Sequence, residues 1–191
     1  MRYSAEHKEE TRRRIVEAAG ATAKKQGFGV TGVDGLMSAA GLKGSSFYHH
    51  FSTKNDLLGE IIEAELEATR KLYAGKRDGS KHDLLKQALA YMSVQHVEAP
   101  EAGCVLPALS AEIARSSEEI KKSYEDALKR IHSEIKAVIG DGGTTWALLA
   151  LSIGAVTMAR AMASEESRDE VLNACSNFAK ATFAALEDEK A

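Results

Sequence analysis

The chain has 191 residues, of which 44% are hydrophobic and 28% are charged, and its formal net charge is −3. This composition is typical of a globular protein with a sizeable core, and two cysteines are too few for the disulfide framework of a small secreted protein. With only two prolines and no long alternation of β-branched residues, the sequence favours helices.

Charge is distributed unevenly along the chain. Residues 1–54 contain nine Lys or Arg and five Asp or Glu, whereas residues 55–191 contain sixteen and twenty-three. A basic segment joined to an acidic body is typical of a nucleic-acid-binding head on a regulatory domain. The opening residues, MRYSAEHKEETRRR, include no apolar signal region, so a cytoplasmic location is expected.

Hydrophobic periodicity predicts an all-α fold of about nine helices. Their expected bounds, in chain order, are about 4–26, 33–40, 44–50, 53–74, 81–97, 106–114, 118–139, 144–163 and 168–186. Polar or proline-containing breaks are expected at 75–80 and 98–104.

The segment GLKGSSFYHHFSTK (41–54) indicates a helix that enters DNA. Two short helices joined at Ala-Gly-Leu (40–42) form a helix-turn-helix, and small residues at the start of its second helix let the backbone approach base edges. Serine hydroxyls can reach bases or phosphates. Phe47 and Phe51, four residues apart, are expected to face the core, which leaves Tyr48 and His49 facing outward.

These residues resemble those of the TetR-type bacterial transcription regulators. The similarity covers about residues 10–58 at Ile15, Ala18, Ala19, Gly27, Phe28, Thr31, Ala40, Gly41, Leu42, the run 46–51, Lys54, Asp56, Leu57 and Leu58. It implies an all-helical homodimer that is released from double-stranded operator DNA when a small-molecule effector binds. It also implies a helix-turn-helix DNA-binding domain at 1–54 and a larger ligand-binding and dimerisation domain at 55–191. Ser45 and Gly32 depart from the family pattern, which usually has Gly and Thr there.

The expected DNA contacts come from the helix-turn-helix and its flanks. They are Thr31, Lys43, Gly44, Ser45, Ser46, Tyr48, His49 and Lys54. Lys54 is expected to hold a phosphate, and Thr31 to cap the second helix or bind phosphate. The arginines at 12–14 are expected to touch phosphates as well. Asp34 either caps the second helix or accepts a hydrogen bond from a cytosine amino group.

The effector pocket is expected among apolar and aromatic side chains of the larger domain. The candidates are Leu66, Tyr73, Met92, His96, Cys104, Leu109, Tyr124 and Trp146. Cys104 also raises the alternative of a redox- or electrophile-sensing regulator, because a thiol just before a helix that begins near Leu106 can have a lowered pKa. As a third possibility, Cys104 is only a small apolar residue packed between helices.

The last two helices are expected to form the dimer surface. The uncharged stretch 142–159 approaches the length of a membrane span, but its Gly, Ser and Thr content favours a helix between protein layers, and no membrane partner is expected. Paired across a two-fold axis, these helices would form a four-helix bundle. The predicted contact residues are Leu148, Ser152, Ala155, Ala159, Ala174, Phe178, Ala181 and Ala185.

No motif in the sequence indicates an enzyme. It contains no G-x-S-x-G, no glycine-rich phosphate loop and no H-E-x-x-H. His49 and His50 point about 100° apart on a helix and have no third ligand nearby in sequence, so no metal site is expected. Catalytic residues and cofactors are therefore not expected, and an enzyme or adaptor that shares only the head has no supporting motif.

Overall fold

The computed structural model describes residues 5–74 and 80–188, which are all-α with no β-strand in these ranges. The α-helices are α1 Ala5–Gln26, α2 Val33–Ala39, α3 Lys54–Ala74, α4 Lys81–Tyr91, α5 Val94–Glu98, α6 Leu106–Ile113, α7 Glu118–Ile139, α8 Gly142–Ala161 and α9 Glu165–Asp188. Two 3-10 helices lie at Gly44–His49 and Pro100–Ala102. The predicted all-α class is confirmed, and residues 75–79 of the predicted break lie outside the described residues.

One predicted helix is two helices in the structure. A single helix was predicted over 81–97, whereas α4 ends at Tyr91 and α5 begins at Val94. Ser93 starts the new helix because its Oγ accepts a hydrogen bond from the His96 amide at 3.3 Å. The prediction of one continuous helix is therefore wrong.

Asp141 sets the start of α8 two residues before the predicted one. Its carboxylate accepts a hydrogen bond from the Thr144 amide at 2.5 Å, and its carbonyl accepts one from the Thr145 hydroxyl at 2.7 Å. An acidic N-cap satisfies a free helix amide and interacts favourably with the helix dipole. The hydrogen bond from the Thr144 amide is the main reason that the pKa of Asp141 lies below its usual range.

Helix α8 is apolar on more than one side. By length and composition alone it could cross a membrane, and 28% of its apolar window is buried within the chain. Helices in protein cores and interfaces meet the same criteria, so this is weak evidence for a span. Helix α8 therefore has apolar surface that the described chain does not cover.

The described chain forms two compact units. The first contains the residues up to Glu67 together with Pro100–Ala127, and the second contains Ala68–Ala99 together with the residues from Leu128 onward. This division differs from the predicted boundary after residue 54. Within the first unit, α6 and the 100–102 helix pack on α1, which the order of the elements along the chain does not reveal.

The core of the first unit is mostly aliphatic, with buried rings from Phe28, Phe47 and Phe51. Its largest fully buried side chains are Ile15, Leu36, Met37, Phe47, Leu57, Ile61, Ile62, Leu66, Val105 and Leu109. Lys24 is 9% exposed, and its ammonium donates to the Glu65 carboxylate and to the Gly103 carbonyl, each at 2.9 Å. Both partners offset the cost of removing this charge from water.

In the second unit, α9 packs against α4 and α8. The buried apolar residues include Leu84, Ile135, Leu148, Val156, Leu172 and Phe183. Glu134 is 6% exposed and pairs with Arg70 at 3.0 Å, while Arg168 bridges to Glu98 at 2.9 Å. These ion pairs join segments that are distant in the sequence within the same unit.

Candidate nucleic-acid interface

Backbone hydrogen bonds around Gly41 close the helix-turn-helix. Gly41 has a φ of 71°, the left-handed conformation that favours glycine. Its amide donates to the Ser38 carbonyl at 2.9 Å, and the Leu42 amide donates to the Met37 carbonyl at 3.0 Å. These bonds end α2 and direct the chain into the 44–49 helix.

The 44–49 helix is anchored by rings on one side and open on the other. Phe47 is fully buried and Phe51 is 2% exposed, and their ring centroids lie 5.5 Å apart. Tyr48 is 74% exposed, with its ring edge-on to Phe47 at 5.2 Å, and His49 is exposed beside it. The predicted inward and outward sides of this helix are confirmed.

Gly44 lies directly against Asp34 of α2. A Cβ on residue 44 would lie 1.6 Å from Asp34 Oδ1 and 3.2 Å from Asp34 Cα. Asp34 occupies the first turn of α2, where a negative charge interacts favourably with the dipole, but the N-cap of this helix is Gly32 and it has no side-chain cap. Packing against Asp34 therefore favours glycine at 44, because a Cβ there would require the Asp34 side chain to move and would still contact its Cα tightly.

Two predicted DNA contacts are engaged inside the protein. Thr31 is 9% exposed and its hydroxyl donates to the Gly27 carbonyl at 2.7 Å, so its predicted role in capping α2 is wrong. Lys54 Nζ donates to the Phe28 carbonyl at 2.6 Å and the Gly29 carbonyl at 3.2 Å, and lies 4.6 Å from the Phe28 ring centroid. Its contact with a DNA phosphate stays a prediction.

The remaining candidates surround the start of the 44–49 helix. Lys43 and Ser45 are exposed, and the hydroxyl of half-buried Ser46 donates to the Lys43 carbonyl at 2.6 Å. After the helix, Asp56 accepts hydrogen bonds from the Thr53 hydroxyl at 2.8 Å and the Thr53 amide at 2.9 Å. These bonds lower the pKa of Asp56 and fix the start of α3.

Arg12 connects α1 to the residues that follow the 44–49 helix. Its guanidinium pairs with Glu60, with Nε 2.9 Å from the carboxylate, and donates to the His50 carbonyl. It also lies 4.3 Å from the centroid of the Phe51 ring. The Arg12 guanidinium is therefore engaged inside the protein, and its contact with a DNA phosphate stays a prediction.

Arg13 and Arg14 face two different cavities. Arg13 pairs with Glu10 and lines a cavity of about 850 Å³, whose other lining residues are Glu6, His7, Glu9, Glu10, Arg12, Val16, Glu60, Glu63, Ala64 and Glu67. Arg14 lines a cavity of about 500 Å³, whose other lining residues are His7, Lys8, Thr11, Leu42, Ser46, His49 and His50. None of the described residues that line the second cavity is acidic. The face of α1 that contains Lys8 and Arg14 therefore lies beside the 44–49 helix.

Glu112 of α6 holds the turn that precedes α2. Its carboxylate accepts hydrogen bonds from the Phe28 amide at 3.0 Å and the Gly29 amide at 2.5 Å. Gly27 has a φ of 89°, and a Cβ at Gly27 or Gly29 would lie 3.3 or 3.2 Å from this carboxylate. Lys54 donates to the carbonyls of the same two residues, so both the amides and the carbonyls of this turn are held. Sequence reasoning missed Glu112, since 84 positions separate it from Phe28.

The predicted effector-pocket residues are divided between the two units. Leu66, Cys104, Leu109 and Tyr124 lie in the first unit, and Tyr73, Met92, His96 and Trp146 lie in the second. Buried among them are Leu66, Met92 and Leu109, and half-buried are Tyr73, His96, Cys104 and Tyr124. Trp146 is 39% exposed and stacks on the His132 ring at 4.2 Å.

The two cysteines are half-buried, and neither forms a disulfide among the described residues. Helix α6 begins at Leu106 with Pro107 in its first turn, as predicted, and the Leu106 amide donates to Cys104 Sγ at 3.5 Å. Burial raises the pKa of the Cys175 thiol. Among residues 5–74 and 80–188, no group of three or more His, Cys, Asp or Glu is placed to hold a metal ion.

A polar cluster in the second unit was not predicted. Gln87 and Tyr91 lie one turn apart on α4, and the Tyr91 ring meets the His96 ring edge-on at 4.4 Å. Arg160 of α8 donates to the His96 carbonyl at 2.8 Å and the Val97 carbonyl at 3.3 Å. Gln87 Oε1 is buried with no hydrogen-bond partner among the described residues. In the sequence, this cluster is indicated only by isolated polar residues within helices.

The predicted dimer surface is exposed on α9 but not on α8. Leu148, Ala155 and Ala159 are 7%, 1% and 2% exposed, so these three residues pack inside the chain and their predicted outward position is wrong. Ser152 is half-buried. The exposed face of α8 instead contains Ala147, Ala150, Thr157, Met158 and Ala161. On α9, all the predicted residues are exposed: Ala174, Phe178, Ala181 and Ala185.

Comparison with known proteins matches both the helix-turn-helix and the fold. Residues 15–61 match the model of the tetR family of bacterial regulatory proteins. No curated protein matches the chain. A search of solved structures finds the reduced form of E. coli NemR at 21% identity and TM-score 0.67, covering 87% of this chain and 96% of that one. A TetR-family regulator from Cytophaga hutchinsonii is 18% identical, with a TM-score of 0.69, and the match covers 95% of this chain and 98% of that one. A TetR regulator from Chloroflexus aurantiacus is 19% identical, with a TM-score of 0.70, and the match covers 91% of this chain and 96% of that one.

The chain has a helix-turn-helix whose second helix is anchored by buried rings on one side and exposed on the other. A larger helical body follows it along the chain. This arrangement is that of a DNA-binding transcriptional regulator. The helix-turn-helix of this chain is therefore similar to that of the tetR family of bacterial regulatory proteins, and its described helices have the fold of solved TetR-family regulators.

Proposed function

We propose that this protein is a cytoplasmic, dimeric repressor that binds a palindromic operator and is released from it by a small-molecule effector. The proposal rests above all on Tyr48, which is 74% exposed on a helix whose other side is fixed by Phe47 and Phe51. A large ring held outward on a rigid support is suited to a ligand surface. In the major groove such a ring reaches phosphates and thymine methyl groups.

Exposed apolar faces of α8 and α9 support the two-fold assembly. Helix α8 has no charged side chain before Arg160, and Met158 is 53% exposed on it. On α9, Phe178 is 62% exposed. Paired with the same helices of a second copy, these faces would form a four-helix bundle. Two heads related by a two-fold axis would fit inverted half-sites about one helical turn, or a multiple of it, apart.

Glu112 supports a route from an effector to the DNA-reading helix. Its carboxylate holds the amides of Phe28 and Gly29, and α2 begins four residues after Gly29 at Val33. A shift of α6 would therefore pull on the turn that positions the helix-turn-helix. Packed helices can switch between discrete arrangements. A switch in the position of α6 would then be enough to release DNA.

Replacing Glu112 with alanine is expected to loosen this turn. The substitution removes two charge-assisted hydrogen bonds, so the free energy of unfolding should fall by about 1–3 kcal/mol. Amide hydrogen exchange at Phe28 and Gly29 should accelerate more than at α3 amides. Glu119→Ala, at an exposed position near the start of α7, is the control. Unchanged exchange at Phe28 and Gly29 in Glu112→Ala would refute the coupling role.

Replacing Tyr48 with alanine is expected to weaken operator binding about tenfold while the protein stays folded, because the ring makes its contact with DNA and little with the core. Fluorescence anisotropy with a duplex that the protein enriches from a random-sequence pool measures the affinity. Leu72→Ala removes a similarly exposed side chain from α3, at 66% exposure, and should leave affinity unchanged. Equal affinities for wild type and Tyr48→Ala would count against the proposed interface.

A redox- or electrophile-sensing regulator is the second candidate. It is favoured by the Leu106 amide, which donates to Cys104 Sγ at the start of α6 and would stabilise a thiolate there. Cys104→Ser separates the two candidates: a variant that no longer leaves DNA on exposure to electrophiles supports the thiol sensor. A variant that responds as wild type does excludes it.

A further inference from the structure

The cavity between α1 and the 44–49 helix gathers cationic and imidazole side chains. It has a volume of about 500 Å³ and is lined by His7, Lys8, Thr11, Arg14, Leu42, Ser46, His49 and His50. We call this set of residues the histidine cup. Lys8 and Arg14 come from α1, whereas Ser46 and His49 come from the 44–49 helix. The cup therefore adjoins the outward side of the helix on which Tyr48 stands.

The charge around the cup favours an anion. Lys8 and Arg14 carry fixed positive charge, and three imidazoles can add more. Two carboxylates of α1 and α3 are engaged by other arginines, since Glu10 pairs with Arg13 and Glu60 pairs with Arg12. Because no acidic residue belongs to the described lining, the cup has the composition of a phosphate site.

His50 is the imidazole most affected by these surroundings. Its Nδ1 is buried and has no hydrogen-bond partner among the described residues. Burial is the main cause that lowers the pKa of His50, and the positive charges of Lys8 and Arg12, with His49, lower it further. On the α3 side, Glu60 is bound to Arg12. In the protein without DNA, His50 is therefore held in its neutral form at neutral pH.

We propose that the histidine cup binds a backbone phosphate of DNA and that this binding takes up protons on its imidazoles, so that operator affinity rises as pH falls. The inference rests on the proposed DNA-binding function and adds a site and a regulation to it. A phosphate bound in the cup offsets the positive charges of Lys8 and Arg12, which contribute to the lowered pKa of His50. Protonated imidazoles in turn attract the phosphate, so the two events favour each other.

The direction of the pH effect follows from linkage. A group whose pKa is higher in the complex than in the free protein binds more protons in the complex, and lowering the pH then stabilises the complex. For each proton taken up on binding, operator affinity should rise about tenfold for every unit by which the pH is lowered between about pH 8 and about pH 6. Loss of the Arg14 contact with phosphate should instead lower affinity by the same factor at every pH.

Anisotropy titrations of the full-length protein with the duplex that it enriches from a random-sequence pool test the proposal at about pH 6, 7 and 8. Wild type should bind more tightly at low pH, and the double variant His49→Gln with His50→Gln should lose most of this dependence. His82→Gln, which changes an exposed histidine of α4, should keep it. Arg14→Ala should weaken binding several-fold at every pH, without changing the pH dependence, whereas Arg130→Ala, at an exposed position of α7, should change little.

The source of the phosphate is distinguished by NMR titration of the imidazole resonances. Adding the duplex should raise the pKa of the cup histidines, and adding inorganic phosphate at the same phosphate concentration should have a much smaller effect. An equal effect of inorganic phosphate would overturn the assignment to DNA. Duplex binding that is independent of pH would overturn the proton coupling but leave DNA binding intact. Failure to bind any duplex at all three pH values would instead overturn the proposed function.

Discussion

Replacing Phe178 with glutamate is expected to convert the dimer into monomers and to lower operator affinity by about 100-fold or more. Phe178 is 62% exposed on α9 and shares its face with Ala174, Ala181 and Ala185. Across a two-fold axis, one substitution introduces two carboxylates into an apolar contact, where both lose hydration and repel each other. Separate heads also lose the avidity of two linked half-site contacts.

Analytical ultracentrifugation measures the dimer dissociation, and anisotropy with the enriched duplex measures operator affinity. Asn173→Glu adds the same charge at an exposed position on the polar edge of α9 and should remain dimeric. Phe178→Leu keeps the position apolar and should also remain dimeric. A dimeric Phe178→Glu variant with normal affinity would show that the interface lies elsewhere, and an equal loss in Asn173→Glu would attribute the effect to net charge alone.

Replacing Gly44 with alanine is expected to abolish most operator binding, with a loss on the order of 100-fold. The new Cβ would overlap Asp34 Oδ1, at 1.6 Å, and lie 3.2 Å from Asp34 Cα. Overpacking of this kind costs about 1–3 kcal/mol. The Asp34 carboxylate would have to rotate away, and the tight contact with Asp34 Cα would remain. Relief of this contact displaces the 44–49 helix from α2, so Tyr48 and His49 would shift together.

A second substitution distinguishes this clash from a direct role of Gly44 in DNA contact. In the double variant Asp34→Ala with Gly44→Ala, the overlapping carboxylate is gone, and thermal stability and operator affinity should recover together relative to Gly44→Ala. Asp34→Ala alone supplies the baseline for the double-mutant cycle. Recovery of stability without recovery of affinity would instead mean that the backbone at residue 44 must approach DNA closely.

The features predicted from sequence are those that depend on neighbouring residues. The spacing of Phe47 and Phe51 gave the buried side of the 44–49 helix, and Gly41 marked the end of α2. Both follow from local periodicity and from the backbone freedom of glycine. For the same reason, the bounds of α1, α2 and α7 agree with the predicted ones to within one residue.

The features that sequence could not supply depend on contacts between distant segments. Lys54 has the position of a phosphate-binding residue along the chain, yet its ammonium is held by carbonyls of the turn after α1. The three arginines at 12–14 look alike in sequence and differ only because Glu60 and Glu10 engage two of them. On α8, an apolar helix with little polar contrast gives no signal of which side faces inward, so Leu148 and Ala155 were placed on the wrong face.

Selection of DNA from a random-sequence duplex pool by the full-length protein tests the central claim most directly. We expect enrichment of one motif with two inverted half-sites whose centres lie about one helical turn, or a multiple of it, apart. Tyr48→Ala should enrich the same motif more weakly, because its fold and dimer contacts are intact. A pool that stays random after repeated rounds, with protein that is folded by circular dichroism and dimeric by sedimentation, would contradict the assignment of this chain as an operator-binding regulator.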